Sequence, residues 1–394
     1  MIYKPQHIIS KFSGELQLLI LLSQQNLSNV ETEKIETLER LVNWELFFEL
    51  AQKHRLISHV VKNLRHLSNY TKPEIKKQLK DTQKELSQKA LLYSKYLIQI
   101  NKNLKENNIP HTFFKGPLLS LELYNDIGFR DYRDIDLMVP LSHIENAKNI
   151  IQDLGFIMFA PKINLSTRQK KTNYTISHHY HLKIPGSPID IELHWNLTNP
   201  KAYFPLQTEK IITNSVLIEI AQHKIPYISK PDNIAFLAAH GAIHQWYRLF
   251  WLKDFSEIIR QSTKHEIQAA WEILKKQKLE KTFTQACLLA NLLYQSPVPK
   301  WIDIGQINFT GSSIKHCIKS ISNKDLRQQG ILGKIKFVLY RLKLKPDINY
   351  YFSLIFRLRT HYTDWEVMPL PNALFFLYYF LRPFILIYKL LYKK

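Results

Sequence analysis

Glycine is scarce in this chain, at 10 of 394 residues, which suits a helix-rich protein with few tight turns. Cysteine is nearly absent. Cys287 and Cys317 are the only two, and neither sits in a C-x-x-C or Cys/His pattern, so there is no disulfide framework and no zinc signature. Reduced thiols in the cytosol are the default for such usage. Met1-Ile2-Tyr3-Lys4-Pro5 starts no secretory signal: the first apolar run, Leu16 to Leu22, is short, follows Glu15 and lacks a small-residue cleavage site. There is no internal repeat and no low-complexity tract. Acid is also in short supply, with 33 Asp and Glu against 54 Lys and Arg, a formal charge of +21. An excess of that size suits polyanions: a nucleoside triphosphate, a nucleic acid or an anionic lipid surface. Solvated lysines on helix faces give the same excess without any partner, and no RNA-binding module is evident by motif.

Apolar residues make up 45% of the chain and aromatic residues 12%, a composition that folds. The length allows two or three domains. Residues 1–107 read as an N-terminal helical domain, ending in a long helix from Pro73 to Lys105 that Asn107-Asn108 and Pro110 stop. Residues 108–200 change character and form the α+β core. His111 to Phe114 reads as a strand, Pro117 to Tyr124 as a short helix and Ile135 to Val139 as a second strand. Ser142 with Glu145 three residues on matches a capping box for a helix to Leu154. Phe156 to Phe159 is a third strand, and the Lys- and Thr-rich stretch after it reads as a loop. Tyr180–Ile184 and Ile189–Trp195 form a hairpin turned at Pro185-Gly186-Ser187-Pro188. Residues 201–330 return to helices, and 331–394 form a basic, aromatic, helical tail.

The chemistry is concentrated in two strands. Asp134 and Asp136 are two apart and share a face, while Ile135, Leu137 and Val139 face a core. Two carboxylates converging from a strand suit a pair of Mg²⁺ ions about 3.5–4 Å apart, the arrangement used for in-line displacement at phosphorus. Lys115-Gly116 closes the preceding strand. In Ile189-Asp190-Ile191-Glu192-Leu193-His194-Trp195, alternation puts Asp190, Glu192 and His194 together on one face. Acids gathered on neighbouring strands repel unless cations sit among them.

The stretch Lys115-Gly116…Arg130…Asp134-Ile135-Asp136-Leu137…Glu192-Leu193-His194-Trp195 resembles the nucleotidyltransferase superfamily, and within it a bacterial family with Lys-Gly, Arg-x-x-x-Asp-x-Asp and a later acid-Leu-His-Trp. His240-Gly241-Ala242-Ile243-His244 with Trp246, Trp251 and Asp254, and Leu381-Arg382-Pro383, extend the similarity over most of the chain. The resemblance implies a nucleotidyltransferase-fold mixed sheet between N- and C-terminal helical domains. It also implies a two-ion Mg²⁺ site at Asp134, Asp136 and a third acid, with Glu192 placed for that role by Leu-His-Trp and Asp190 next. The nucleotide is ATP or another NTP. A nucleoside monophosphate passes to a hydroxyl of a small molecule, a protein or an RNA by metal-assisted attack on the α-phosphorus. Well-studied relatives carry Gly-Ser where this chain has Lys115-Gly116-Pro117. Lys115 then serves as a point charge on phosphate, and Arg130 and Arg133 are further candidates for triphosphate contact.

The missing Ser also supports a rival: a catalytically silent module that holds a nucleotide or protein on the same fold. His178, His179 and His181 are close enough to suggest a transition metal, but the first two are adjacent and point apart on a strand, so surface or acceptor-site histidines are the reading. His240 and His244 stand at a zinc-like spacing, without the intervening Glu or a third ligand. They read as core or rim residues, and Phe250, Trp246 and Trp251 as core. In the tail, Leu374 to Leu381 and Phe384 to Tyr388 are apolar, and Arg382-Pro383 between them argues against a membrane-spanning helix. A helix docked on the protein, or an interfacial helix giving a cytoplasmic protein peripheral membrane contact, fits that pattern.

Overall fold

The computed structural model describes residues 9–67, 70–302, 307–322, 330–356 and 360–392. The signal-peptide reading at Met1–Pro5 and the terminal Lys393-Lys394 fall outside them. Two compact units are present, each drawn from three stretches of chain. The first comprises Met1–Ser94, Gly116–Tyr132 and Lys230–Lys345; the second comprises Lys95–Lys115, Arg133–Ser229 and Pro346–Lys394. The helix Pro73–Glu106 contributes its early turns to one and its last turns to the other.

The second unit holds a mixed seven-stranded sheet, and with helical regions before and after it in sequence the chain is α+β. The strands are β1 (Thr112–Phe114), β2 (Ile135–Met138), β3 (Ile157–Ala160), β4 (His179–Lys183), β5 (Asp190–His194), β6 (Val216–Ile220) and β7 (His223–Tyr227), in the order β3-β4-β5-β2-β1-β7-β6. β2 runs parallel to β5 and antiparallel to β1, and β1 is parallel to β7. Ile135, Leu137, Ile191, Leu193, Tyr180 and Leu182 are buried at alternating positions, as a strand with one core face requires. The helix Ile144–Asp153 packs on β5 and buries Ile144, Ala147 and Ile151.

Several sequence expectations change here. Ser142 caps nothing: it lies in a short 3₁₀ turn, and the helix starts at Ile144 without a side-chain cap. Glu145 is taken instead by Lys148 and Lys170, each at 2.7 Å, and by the Tyr174 and Tyr180 hydroxyls. Burial opposes its ionisation, but hydrogen bonds from Lys148, Lys170 and Tyr174 outweigh that and hold its carboxyl down to about 2. Lys170 and Tyr174 belong to a helix, Thr167–Ile176, in the stretch that reads as a loop, and Ser166 and Gln169 form its capping box. The hairpin β6–β7 interrupts the supposedly all-helical region after residue 201.

In the first unit the helices Lys230–Ile243, Leu249–Arg260, Lys264–Lys276 and Glu280–Tyr294 pack together. Gly241 is required by close approach. The fully buried Trp246 folds back on the helix that ends just before it, and a Cβ at position 241 would lie 2.2 Å from its ring. Lys253 and Glu257 form an ion pair of 2.6 Å inside this bundle.

The C-terminal segment belongs to the second unit. Trp365, Phe375, Tyr378 and Ile385 form a small core with Ile176. The helix Tyr378–Tyr392 turns its charges inward, Arg382 and Lys389 both binding the buried Asp364 at 3.3 and 2.6 Å.

Candidate active site

The register of β2 against β5 makes the site. Asp136 pairs with Glu192 across the parallel strands, Phe114 lies beside Asp136 on β1, and His181 lies beside Glu192 on β4. One pleat further on, Met138, His194 and His179 form the next row. Residues two apart share a face, so Asp136, Glu192, His194, His179 and His181 emerge together.

Asp136 is fully buried. Its Oδ1 accepts from Lys115 Nζ at 3.1 Å and lies 3.3 Å from His194 Nε2. Its Oδ2 is buried with no hydrogen-bond partner among the described residues. His194 Nε2 is also 3.2 Å from Glu192 Oε2, and its Nδ1 is 3.3 Å from the Asn196 carbonyl. His179 Nε2 stands 3.8 Å from Glu192 Oε1. Asp190 is bound by His181 and Lys183 at 3.2 and 3.3 Å.

The electrostatics follow from this crowding. Burial favours the neutral form of Lys115, but Asp136, Glu192 and Asp134 outweigh it and raise its ammonium above the usual lysine value. Burial would raise Glu192; His179, His194 and Lys115 override it and hold the carboxyl well below its ordinary range. Burial works against the imidazolium of His194, and hydrogen bonds to Asp136 and Glu192 lift it. Burial lowers His179 to about 4, despite Glu192.

Lys115 and Gly116 both have positive φ, 55° and 51°, a left-handed turn between β1 and the helix Gly116–Tyr124 that Gly adopts without steric cost. Arg130 is buried in the first unit. Its guanidinium grips Asp254 through Nε (3.0 Å to each oxygen) and Nη2 (2.7 Å), and its Nη1 donates to the Gly116 carbonyl at 3.3 Å. Arg133 is exposed, and Asp134 is half-buried just before β2. Two groups of three among the described residues present donor atoms within 4.8 Å of one another: Asp136, Glu192 and His194, and His178, His179 and His194. Asp134 and Asp190 stand outside both. The acids share a face with His194 as their alternation predicts, but His178 and His179 do not point apart: His178 Nε2 lies 3.1 Å from His179 Nδ1, because His178 precedes β4 and escapes its alternation.

The donor chemistry suits a divalent ion: two carboxylates of adjacent strands, one oxygen orphaned in a buried position, and an imidazole. A cavity of about 990 Å³ opens past the end of β5, lined by Tyr174, Trp195, Asn196, Phe352 and Tyr379 among others. Asp136 and Glu192 do not line it; Asn196 connects the two, its carbonyl meeting His194 and the residue itself lining the cavity.

A family described as uncharacterised nucleotidyltransferase matches residues 40–295, a segment that contains Lys115, Asp136, Glu192, His194 and Asp254. No curated protein matches. With well over half its length matched, and with paired acids on parallel strands beside a lysine-bearing turn, the chain belongs to this nucleotidyltransferase family.

Proposed function

We propose that the protein is a Mg²⁺-dependent nucleotidyltransferase that moves a nucleoside monophosphate from an NTP, ATP first among them, to a hydroxyl acceptor. The observation that carries this reading is the Asp136–Glu192 register pair with the orphaned Asp136 Oδ2. Asp134, Asp136 and Glu192 are the residues to hold the two ions, with Asp190 at the margin. Magnesium held by these residues would supply Lewis acidity toward the acceptor hydroxyl and the leaving pyrophosphate. Lys115, kept protonated by its acidic neighbours, binds triphosphate oxygen as a point charge. Exposed Arg133 adds a second cation. Gly116 shapes the turn, and Arg130 acts through it as a positioning residue, donating a hydrogen bond to its carbonyl. The cavity beyond Asn196 has the size of a small-molecule site and is the place for the body of an acceptor, whether a small molecule, a protein side chain or an RNA end.

Incubation of purified protein with α-labelled ATP, Mg²⁺ and cell extract tests the reading. Label should pass to an acceptor, and Asp136→Ala should lower that transfer by about a hundredfold or more while leaving the circular dichroism unchanged. Metal-dependent nucleotide binding with no transfer to any acceptor would instead establish the catalytically silent module.

A separate observation bears on where the protein works, and from it we infer peripheral contact with a membrane. Phe376, Phe380, Phe384, Ile387 and Leu391 recur at spacings of three and four and form one outward stripe, with Phe380, Phe384 and Leu391 at 69%, 68% and 69% exposure. The helix thus shows aromatic and aliphatic groups outward and salt bridges inward, the reverse of a water-facing helix. Beside it, the helix Thr167–Ile176 carries Arg168, Lys170 and Lys171 and no acid, and Arg168 reaches the Asn372 carbonyl and the Phe375 ring. An aromatic stripe bordered by cations suits an anionic bilayer surface, whereas a second copy would bring its own +21. No described helix is long and apolar enough to cross a membrane. The full chain should co-sediment with phosphatidylglycerol-containing vesicles, and Phe380→Ser/Phe384→Ser should not. No sedimentation, or a dimer in solution that the same double variant dissolves, would remove the idea.

A further inference from the structure

His194 is oriented as a metal ligand is. The Asn196 carbonyl can only accept, so the 3.3 Å hydrogen bond to it places the proton of a neutral ring on Nδ1. Nε2 is then a lone pair, 3.3 Å from Asp136 Oδ1 and 3.2 Å from Glu192 Oε2. Three electron-rich atoms converge where Asp136 and His194 side chains are 0% and 2% exposed, and they repel unless a cation sits among them. Lys115 Nζ, 3.1 Å from Asp136 Oδ1, offsets part of that charge, and what remains around the Nε2 lone pair calls for a second proton on the ring or a metal ion. Three facts favour the metal. A backbone carbonyl on one ring nitrogen, with the other aimed at carboxylates, is the usual way a protein fixes a ligating histidine. The unpartnered Asp136 Oδ2 is a further oxygen in the same group. Two more imidazoles close the other side: His178, His179 and His194 lie within 4.8 Å of one another, with His178 Nε2 3.1 Å from His179 Nδ1.

We propose that Asp136, Glu192 and His194 form a mixed oxygen–nitrogen site that selects a first-row transition dication over Mg²⁺, with His194 Nε2 as a direct ligand. The inference rests on the functional reading above only for what the ion is used for. Mg²⁺ takes oxygen donors and keeps its waters, so an imidazole in the donor set favours the transition ions. One of the two metal positions, the one beside His194, would then take a transition ion in place of the second Mg²⁺ of the reading above.

Mn²⁺ serves as the probe. The full-length protein is titrated with Mn²⁺, with the free ion followed by electron paramagnetic resonance, and then competed with Mg²⁺. Mn²⁺ should bind about tenfold more tightly than Mg²⁺ or better. Pulsed measurements on the Mn²⁺-loaded wild type should show coupling to an imidazole ¹⁴N. His194→Gln should weaken Mn²⁺ by about tenfold or more and leave Mg²⁺ nearly unchanged. Equal affinity for the two ions, or no ¹⁴N coupling, overturns the proposal. Even if the variant does not fold, the wild-type spectrum decides whether an imidazole is a ligand, and absence of coupling overturns the proposal. Label transfer with Mg²⁺ and no ¹⁴N coupling would leave the transferase reading standing and sink this one. Nitrogen coupling without any transfer would do the reverse.

Discussion

Arg130 and Asp254 offer the sharpest test of how the first unit is held. Their side chains are 4% and 2% exposed and joined by three contacts of 2.7 to 3.0 Å. Truncating one partner leaves the other charge buried and unpaired, so Arg130→Ala and Asp254→Ala should each cost about 3–5 kcal/mol. Replacing both with apolar residues of similar volume, Arg130→Met with Asp254→Leu, removes the burial penalty along with the pair, and is often close to neutral. Two groups still lose a partner: the Gly116 carbonyl, which accepts from Arg130, and the Tyr124 hydroxyl, 3.2 Å from Asp254. At about 1 kcal/mol each, the double variant should lie roughly 2 kcal/mol below the wild type, far less than the two single costs added. Urea unfolding followed by circular dichroism and tryptophan fluorescence measures all four proteins. A single variant that costs less than about 1 kcal/mol, or a double variant as unstable as the sum, would refute the reasoning.

Two further outcomes follow from packing and burial. Gly241→Ala drives a methyl into the ring of the fully buried Trp246 at 2.2 Å. A loss of about 3 kcal/mol or more should appear as a lower urea midpoint, and an unchanged midpoint would mean the ring is not seated there. His54 is held neutral by burial, with lesser contributions from Lys53 and Arg248, and is lowered to about 3. Its folded value lies below the unfolded one, so the unfolded chain takes up the proton first as pH falls from about 6.5. Stability should drop by about 1.6 kcal/mol between pH 6.5 and pH 5 from this residue alone. His54→Gln should flatten that part of the slope, and an equal slope in the variant would assign the effect elsewhere.

Much of the site was readable before any coordinates because it depends on a period of two. Asp190, Glu192 and His194 alternate with Ile191, Leu193 and Trp195, and a strand with a buried face has one way to place them. The long helix was readable for the same kind of reason, with Asn107-Asn108 and Pro110 marking its end. What escaped was set by contacts distant in sequence. The helix Thr167–Ile176 buries only Gln169, Asn173 and Ile176, too few apolar positions to show a helical period, and it is tied down by Glu145 from elsewhere. The hairpin β6–β7 turns at Ala221 and Gln222, both with positive φ, where an Asn-Gly pair would have announced it. The apparent box at Ser142 and Glu145 had the right spacing, but the carboxylate found stronger donors in two lysines. Arg130 illustrates a further limit: its motif position put it among the phosphate contacts, while its bond to Asp254, more than a hundred residues on, is invisible to spacing.

The parallel pairing of β2 with β5 separates what can change from what cannot. The two acids meet through hydrogen-bonded neighbours, and every residue between them in sequence is detour. A reporter peptide spliced at Gly186, an open position at the hairpin tip with φ +72°, would lengthen the detour and spare the chemistry. Deleting one residue inside β5 ahead of Glu192 would slip the strand by a single step and turn Ile191 and Leu193 toward Lys115. Tolerance to length in the connections, and intolerance to a single step within the strand, is the engineering rule this architecture imposes.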